Sequence, residues 1–476
     1  MKPTVGIDAI AVHVPRLFVD LAGEWANVRA PELGEKGVAE LVSKVTSGVG
    51  VRQMAIPDAH EDSATLAAMA ALKAIEQGGI DPREIGFIAV GTETTVDQSK
   101  SIAAYVLGML ERHFGVDLRE VGAPQFQFAC IGATYALEAA VNMFRAGEAH
   151  KRYALVIATD VSKYPLRSTG EYTQGAGAVA MLVSESPRLV ALDAKVTATV
   201  TRDERDFFRP NGMSTAVVDG KYSIDVYLGC VNEATARFVE RGRVEFQKPG
   251  ARIDELVEHM LFHVPFPRMA EYAALRVLGD AWRADPAMRE TLGKTSPLLF
   301  ESDPSDAVAR RDAEKQLAKD GYFRALFADR IEPSLTLSRQ IGNIYSGSMY
   351  LALASLLEMT TDRAALGGQR VGFFSYGSGA SARVFSGVFV DPVGAYRPHV
   401  VSALRTEGDG GSRVALGLSE YERLHAGPLH GDKPASLSQP ATSVRPPRAE
   451  FALSRIGTEQ TPKKTDLGYR YYEWQA

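Results

Sequence analysis

Cys130 stands between a strand-like run at residues 125–128 and the first turn of a helix, a position from which a thiol can act as a nucleophile. Phe126 and Phe128 alternate with polar neighbours, whereas Ala133, Leu137, Ala140 and Phe144 recur at helical spacing. Unpaired N–H groups and the positive end of a helix dipole favour a thiolate there, which predicts a lowered pKa. The same N–H groups can polarise a thioester carbonyl. Glu93 follows the apolar run 86–90 and Gly91-Thr92, where partial desolvation raises a carboxyl toward the pKa of a working base. His263 closes the run 260–262 in Phe262-His263-Val264-Pro265-Phe266, setting an imidazole at the end of a strand. Ser378 belongs to Phe374-Ser375-Tyr376-Gly377-Ser378-Gly379-Ala380, a turn suited to presenting backbone N–H groups to a thioester oxygen. Each residue alone also has a plainer reading: a buried small hydrophobe, an exposed carboxylate, a structural histidine, a simple turn.

The elements that must position them are legible. Residues 5–14 read as a strand, 63–77 as an alanine-rich helix, and 86–90, 153–158 and 177–183 as buried strands. Helices begin near Asp225 and Pro267 around the strand 260–262, and a helix over 346–359 precedes a strand over 370–375. Strands alternating with helices predict an α/β architecture in two halves. Glu93, Cys130, Asp160 and Ser378 then lie at carboxyl ends of strands, where open α/β sheets bind ligands. Cys230 reads as helix core, and Gly175-Ala176-Gly177 lacks the spacing of a dinucleotide-binding loop. Residues 285–329 read as a charged helical insertion, with Arg310 to Lys315 as a solvated face. Beyond about Ala395, Gly408-Asp409-Gly410-Gly411 and the Pro- and Ser-rich stretch 433–448 read as loops or linker. The aromatic segment 451–474 is expected to pack on the body or on a partner subunit. No internal repeat is visible.

Composition narrows the function classes. The 476 residues carry 53 Lys plus Arg against 58 Asp plus Glu, so no global basic field points to nucleic acid. Two cysteines, Cys130 and Cys230, fit a reducing compartment rather than a disulfide scaffold. No charged region followed by a long apolar one opens the chain, and no run of about 18 apolar residues occurs, so neither a secretory signal nor a membrane span is expected.

In chain order, Gly91-Thr92-Glu93, Ala129-Cys130, Ile157-Ala158-Thr159-Asp160 with Tyr164, Gly170-Glu171-Tyr172-Thr173-Gln174-Gly175, Phe207-Phe208-Arg209-Pro210, Val218-Asp219-Gly220, Phe262-His263-Val264-Pro265-Phe266, Gly342-Asn343-Ile344-Tyr345-Ser346 and the Ser378 turn resemble the hydroxymethylglutaryl-CoA synthase family of the thiolase superfamily. The likeness runs through about residues 5–395. It implies a thiolase-like, duplicated, five-layered α-β-α-β-α architecture: an N-terminal half, 1–190, with Glu93 and Cys130; a C-terminal half, 191–395, with His263 and the insertion; and an extension, 396–476. It also implies condensation of acetyl-CoA with acetoacetyl-CoA and water to 3-hydroxy-3-methylglutaryl-CoA, in the mevalonate route. Cys130 would carry the acetyl group, Glu93 would remove a methyl proton, and His263 would protonate the developing alkoxide by donating near neutral pH. Backbone N–H groups of Ser378 and Cys130 would polarise the acetyl carbonyl. Tyr164, Thr173 and Asn343 would line the acyl site, and Arg268 would hold a basic position toward CoA. The CoA thioesters are substrates; no metal or redox cofactor is required. A cytoplasmic homodimer is implied, with a thiolase as a possible partner.

Three departures from the family pattern bear on this. Ile131 stands where an aromatic residue usually follows the cysteine, and Glu271 and Tyr272 stand where lysines often contact CoA phosphates. The insertion and long tail exceed the compact bacterial form. Two further readings therefore accompany the synthase: a polyketide β-branching enzyme acting on carrier-protein-bound substrates, and a non-catalytic subunit of a thiolase complex.

Overall fold

Strands rich in apolar residues at both parities bury both faces, as a sheet covered on each side requires. In the computed structural model, which describes residues 4–427 and 440–476, they are β1 (Val5–His13), β2 (Ile85–Gly91), β3 (Gln125–Phe126), β4 (Tyr153–Ser162), β5 (Gly175–Glu185), β6 (Val190–Leu192), β7 (Ala198–Thr201), β8 (His259–Phe262), β9 (Arg370–Gly377) and β10 (Ser381–Phe389). They join in one ten-stranded sheet of order β8-β9-β10-β6-β1-β5-β4-β2-β3, with β7 also pairing β10. The principal helices are α1 (Ser63–Gly78), α2 (Ile102–Phe114), α3 (Gly132–Ala146), α4 (Gly220–Glu245), α5 (Pro267–Arg283), α6 (Ala307–Leu317) and α7 (Ser348–Met359).

Residue parity assigns the layers. Leu155, Ile157, Ala178 and Ala180 pack with α1 and α2, while Val156, Ala158, Val179 and Met181 face the core shared by α3 and α7. The two central helices touch where Thr134 Oγ1 and Tyr350 Oη lie 2.9 Å apart. On β9, Ser375 turns inward to Thr134 of α3, at 2.7 Å, and Tyr376 turns outward to Tyr227 of α4, with ring centroids 4.7 Å apart. The result is the thiolase-like five-layered arrangement: α1 and α2, strands, α3 and α7, strands, α4 with α5 against it.

The sheet is built twice. Outward from the centre, β1 pairs β5 antiparallel, β5 pairs β4 antiparallel, and β4 pairs β2 parallel. Likewise β6 pairs β10 antiparallel, β10 pairs β9 antiparallel, and β9 pairs β8 parallel. The halves meet at the antiparallel β1–β6 pair. Strand order thus preserves a duplication that the residues themselves do not display.

Several elements differ from expectation. The run at 125–128 is a strand only over Gln125–Phe126. α4 starts at Gly220, ahead of Asp225, because the Asp219 side chain accepts from Tyr222 N at 3.1 Å and caps it. α7 starts at Ser348 after a 3₁₀ turn over Tyr345–Gly347. Arg310 to Lys315 is not simply a solvated face: Ala313 is buried, and Arg310 and Glu314 of α6 pair with Asp280 and Arg276 of α5. The tail forms a hairpin of β11 (Glu450–Ile456) and β12 (Arg470–Gln475), whose Phe451, Leu453 and Tyr472 are buried against α1 and α2 of the body. Gly408 to Gly411 is a tight turn as expected, while 433–439 of the linker stretch lies outside the described residues. No helix among the described residues is long and apolar enough to cross a membrane.

Candidate active site

Gly91 ends β2, and a Cβ there would meet Ala133 N at 2.1 Å. Only glycine lets the first turn of α3 sit directly on the strand end, so the Glu93 loop and the Cys130 loop become neighbours. Ala129 holds φ +40, an unfavourable region for a residue with a Cβ, immediately before the cysteine. Cys130 Sγ lies 3.7 Å from Glu93 Oε2, with the thiol donating. The carboxylate loop is held by Asp160, which is wholly buried. Its Oδ1 accepts from Thr92 Oγ1 (2.9 Å), Glu93 N (2.9 Å), Thr94 N (3.1 Å) and Thr94 Oγ1 (2.7 Å). Its Oδ2 accepts from Ser346 N at 3.0 Å and from the Ser346 hydroxyl. Arg209 donates to the Glu93 carbonyl from the opposite side.

Burial, and then the charge of Asp160, push the Glu93 carboxyl up to about 8, against the pull of Arg209. That agrees with the expected raised base. The expected lowering of the Cys130 thiol is overturned: burial, reinforced by the charges of Glu93, Asp160 and Asp206, pushes it well up. Removal from water together with three nearby carboxylates outweighs whatever one helix terminus contributes, so the free thiol is neutral.

From the other half, β8 delivers His263, whose backbone N–H donates to Phe374 O at 2.9 Å. Tyr227 Oη donates to the His263 carbonyl at 2.9 Å, and the imidazole lies beside the contacting pair of Tyr227 and Tyr376 rings, with centroids at 6.2 and 6.4 Å. Its ring nitrogens make no hydrogen bond among the described residues. Burial drives its pKa down to about 3, so the ring is neutral near neutral pH and what it offers there is an N–H hydrogen bond rather than a readily released proton.

The Ser378 turn is pressed onto the nucleophile loop, since a Cβ on Gly377 would meet Ile131 N at 2.8 Å. Asp206 fixes it by accepting from Gly379 N (2.9 Å) and Tyr376 Oη (3.1 Å). The backbone N–H groups of Cys130 and Ser378 have no partner among the described residues. Beside the sulfur, Tyr164 and Tyr345 form an apolar wall with Phe207. Asn343 is buried, and its Oδ1 accepts from Tyr345 N (2.8 Å) and Ser348 Oγ (2.9 Å), leaving its NH₂ without a partner among the described residues. The Thr173 hydroxyl is committed to Gly170 O at 2.8 Å, and its carbonyl accepts from Asn343 N at 3.1 Å. Thr173 therefore aligns Asn343 rather than offering its own hydroxyl.

Arg268 belongs to a different wall. It donates to Ser47 O at 2.8 Å and pairs with Glu271, along a cavity of about 540 Å³ that Lys221, Tyr272, Arg311 and Lys315 also line. Sequence reasoning singled out Glu93, Cys130, His263 and Ser378. It missed Asp206, and it placed Asp160 at a strand end and in the family motif without giving it a role.

Hydroxymethylglutaryl-coenzyme A synthase family models, N terminal and C terminal, match residues 2–187 and 190–419. The hydroxymethylglutaryl-CoA synthase of Haloferax volcanii is 32% identical over 475 residues, spanning 99% of this chain and 100% of that protein. A structure of MvaS in complex with 3-hydroxy-3-methylglutaryl coenzyme A superposes with a TM-score of 0.80 at 33% identity, covering all of both chains. PksG, a HMG-CoA synthase from Bacillus subtilis, shares the fold at a TM-score of 0.72 and 23% identity, covering 99% of this chain and 100% of that one. The chain belongs to the hydroxymethylglutaryl-CoA synthase family of acyl-condensing enzymes.

Proposed function

We propose that this enzyme condenses acetyl-CoA with acetoacetyl-CoA and water to give 3-hydroxy-3-methylglutaryl-CoA and CoA. The observation that carries the reading is a thiol donating to a raised carboxyl, Cys130 to Glu93, beneath two unpartnered backbone N–H groups. Cys130 Sγ attacks the acetyl thioester carbonyl, its proton passing to Glu93 and from there to the departing CoA sulfur, so that CoA leaves as the thiol and Glu93 is a carboxylate again. The N–H groups of Cys130 and Ser378 receive the developing oxyanion. Glu93 as carboxylate then takes a proton from the acetyl methyl, and the resulting carbon attacks the ketone of acetoacetyl-CoA. His263 donates a hydrogen bond from its neutral N–H to that oxygen, the proton taken up by Glu93 neutralises the alkoxide, and water hydrolyses the enzyme thioester to the free carboxylate and the Cys130 thiol. Tyr164, Asn343 and Thr173 shape and align the acyl pocket. Arg268, with Lys221, Arg311 and Lys315, provides the cationic wall for the CoA phosphates in place of the missing lysines. The enzyme acts in the mevalonate route as a cytoplasmic homodimer, since thiolase-like folds usually pair.

Incubation with acetyl-CoA, digestion and mass spectrometry should find an acetyl group on Cys130, and acetoacetyl-CoA should then release the product. Cys130→Ala should show neither. Acetylation without product would point to a carrier-bound acceptor, and no acetylation of the unmodified chain would overturn the reading.

A further inference from the structure

The C-terminal hairpin reaches the catalytic loop through a relay of hydrogen bonds that passes along the chain from Asp62 to Ser63. Asp62, wholly buried, caps α1 with Oδ1, which accepts from Ala64 N (2.9 Å) and Thr65 N (3.0 Å). Its Oδ2 accepts from two residues of β12, Arg470 Nη1 and Tyr472 Oη, each at 2.8 Å. Further tail contacts grip the segment before α1. Val444 N and Arg445 N donate to Asp58, both at 2.8 Å, and Leu453 N donates to His60 O at 2.8 Å. The next residue, Ser63, touches the active site. Thr94 Oγ1 gives its only proton to Asp160 at 2.7 Å, so at 3.0 Å from Ser63 Oγ it must accept from that hydroxyl. Thr159 Oγ1 donates to Ser63 O at 2.7 Å and fixes the serine from its other side. Asp160 in turn accepts from Glu93 N.

We propose that Tyr472 and Arg470 of the C-terminal hairpin are positioning residues for the carbon-proton abstraction, holding Glu93 through Asp62, Ser63, Thr94 and Asp160. The inference rests on Glu93 as the base. The hairpin packs on α1 and α2, and among the described residues Asp62 Oδ2 has no partner outside the tail. A buried carboxylate oxygen stripped of such donors pulls on the helix it caps. The first turn of α1 then shifts, and with it the Ser63 hydroxyl that orients Thr94. Cys130 is seated on a different support, α3 against β2, and acetylation asks of Glu93 only that it take a thiol proton already directed at it, so acetylation is less sensitive to this path than abstraction of a carbon-bound proton.

Tyr472→Phe keeps the ring and removes one hydroxyl, and Ser63→Ala cuts the chain at its middle. In the full-length enzyme both should acetylate Cys130 within about threefold of the wild-type rate, yet condense about tenfold more slowly at saturating acetoacetyl-CoA. The pH profile of condensation should also move. Glu93 is surrounded by Asp160, Arg209 and Cys130, and a loosened loop admits water, so the rising limb should shift to lower pH. Unchanged condensation and pH profile in both variants would overturn the inference. So would equal losses in acetylation and condensation, which mark general destabilisation. Glu93→Gln, run alongside, separates the two layers of argument: normal condensation in that variant would remove the base assignment itself.

Discussion

The two halves of the sheet lay down the same succession of strands and end their parallel outer strands at corresponding places, but they put opposite chemistry there. β2 runs out into Glu93, β8 into His263. Glu93 is gripped through its backbone by Asp160 and Arg209, and its side chain meets the thiol. His263 is gripped through its backbone by Phe374 and Tyr227, and its ring is held by packing alone. Burial drives both groups toward neutrality, the carboxyl upward and the imidazole downward. A duplicated fold thus supplies two corresponding strand ends, and the proposed mechanism sets a proton acceptor at one and a hydrogen-bond donor at the other. The same comparison holds one layer in, where α3 presents Cys130 and α7 is preceded by Asn343, a neutral amide.

The comparison breaks if the halves are not divided between proton removal and hydrogen-bond donation. Glu93→Gln should lower condensation by about 10³-fold while leaving acetylation within about tenfold. Two effects offset each other in acetylation: a proton acceptor is lost, but so is a charge that raises the Cys130 pKa. Stopped-flow release of CoA, with and without acetoacetyl-CoA, separates the half-reactions. His263→Asn should cost condensation about 10²-fold and spare acetylation, since the proposed mechanism uses His263 only at the ketone oxygen. Loss of acetylation in His263→Asn, with condensation intact in Glu93→Gln, would reverse the division.

The burial that makes Glu93 useful also sets a pH dependence of stability. Its folded pKa of about 8 exceeds the ordinary 4.5, so the native state binds this proton more tightly than the unfolded chain. The stabilisation is full below pH 4.5 and is lost as pH rises through 8. At pH 7 that loss is on the order of 3 kcal/mol. Glu93→Gln should therefore match the wild type near pH 4 and gain on it steadily up to pH 8 in urea unfolding. A constant difference across that range would remove the raised pKa from the argument. His263→Asn should show the opposite trend: the folded imidazole stays neutral down to a pKa of about 3 while the unfolded chain takes up a proton near 6.5, so this variant should match the wild type above pH 7 and gain on it as pH falls toward 4.

Cys130, Glu93 and His263 were legible because each borders an apolar run that a sheet must bury, and strand ends are where such runs meet solvent. Asp206 was not. It hangs from an irregular segment, and its partner Gly379 lies 173 residues away, a pairing no local pattern encodes. The state of the Cys130 thiol was misjudged for a similar reason: the helix terminus is local, whereas Asp160 and Asp206 arrive from distant elements. The duplication is invisible to residue comparison because strand order and direction keep it, not side-chain identity. The aromatic tail was readable as a packing segment from Phe451 and Tyr472, but its grip on Asp62 depends on a hairpin register that only the fold reveals.

The smallest expected effect concerns what the C-terminal half has and the N-terminal half lacks, the inserted helix α6. Its Arg311 and Lys315 face Arg268 and Lys221 across the cavity, where Glu271 and Tyr272 replace expected lysines. Arg311 is partly exposed and pairs with Asp225 at 3.3 Å, so its charge is screened and only partly available. Exchanging that partner for a CoA phosphate is a modest gain. Arg311→Ala with Lys315→Ala should raise KM for acetyl-CoA about five- to tenfold at low ionic strength, leave kcat near the wild-type value, and lose most of its effect as salt rises. Added salt should raise the wild-type KM toward that of the variant. A fall in kcat with KM unchanged would assign α6 a structural role, and the altered basic patch after His263 would then stand without compensation.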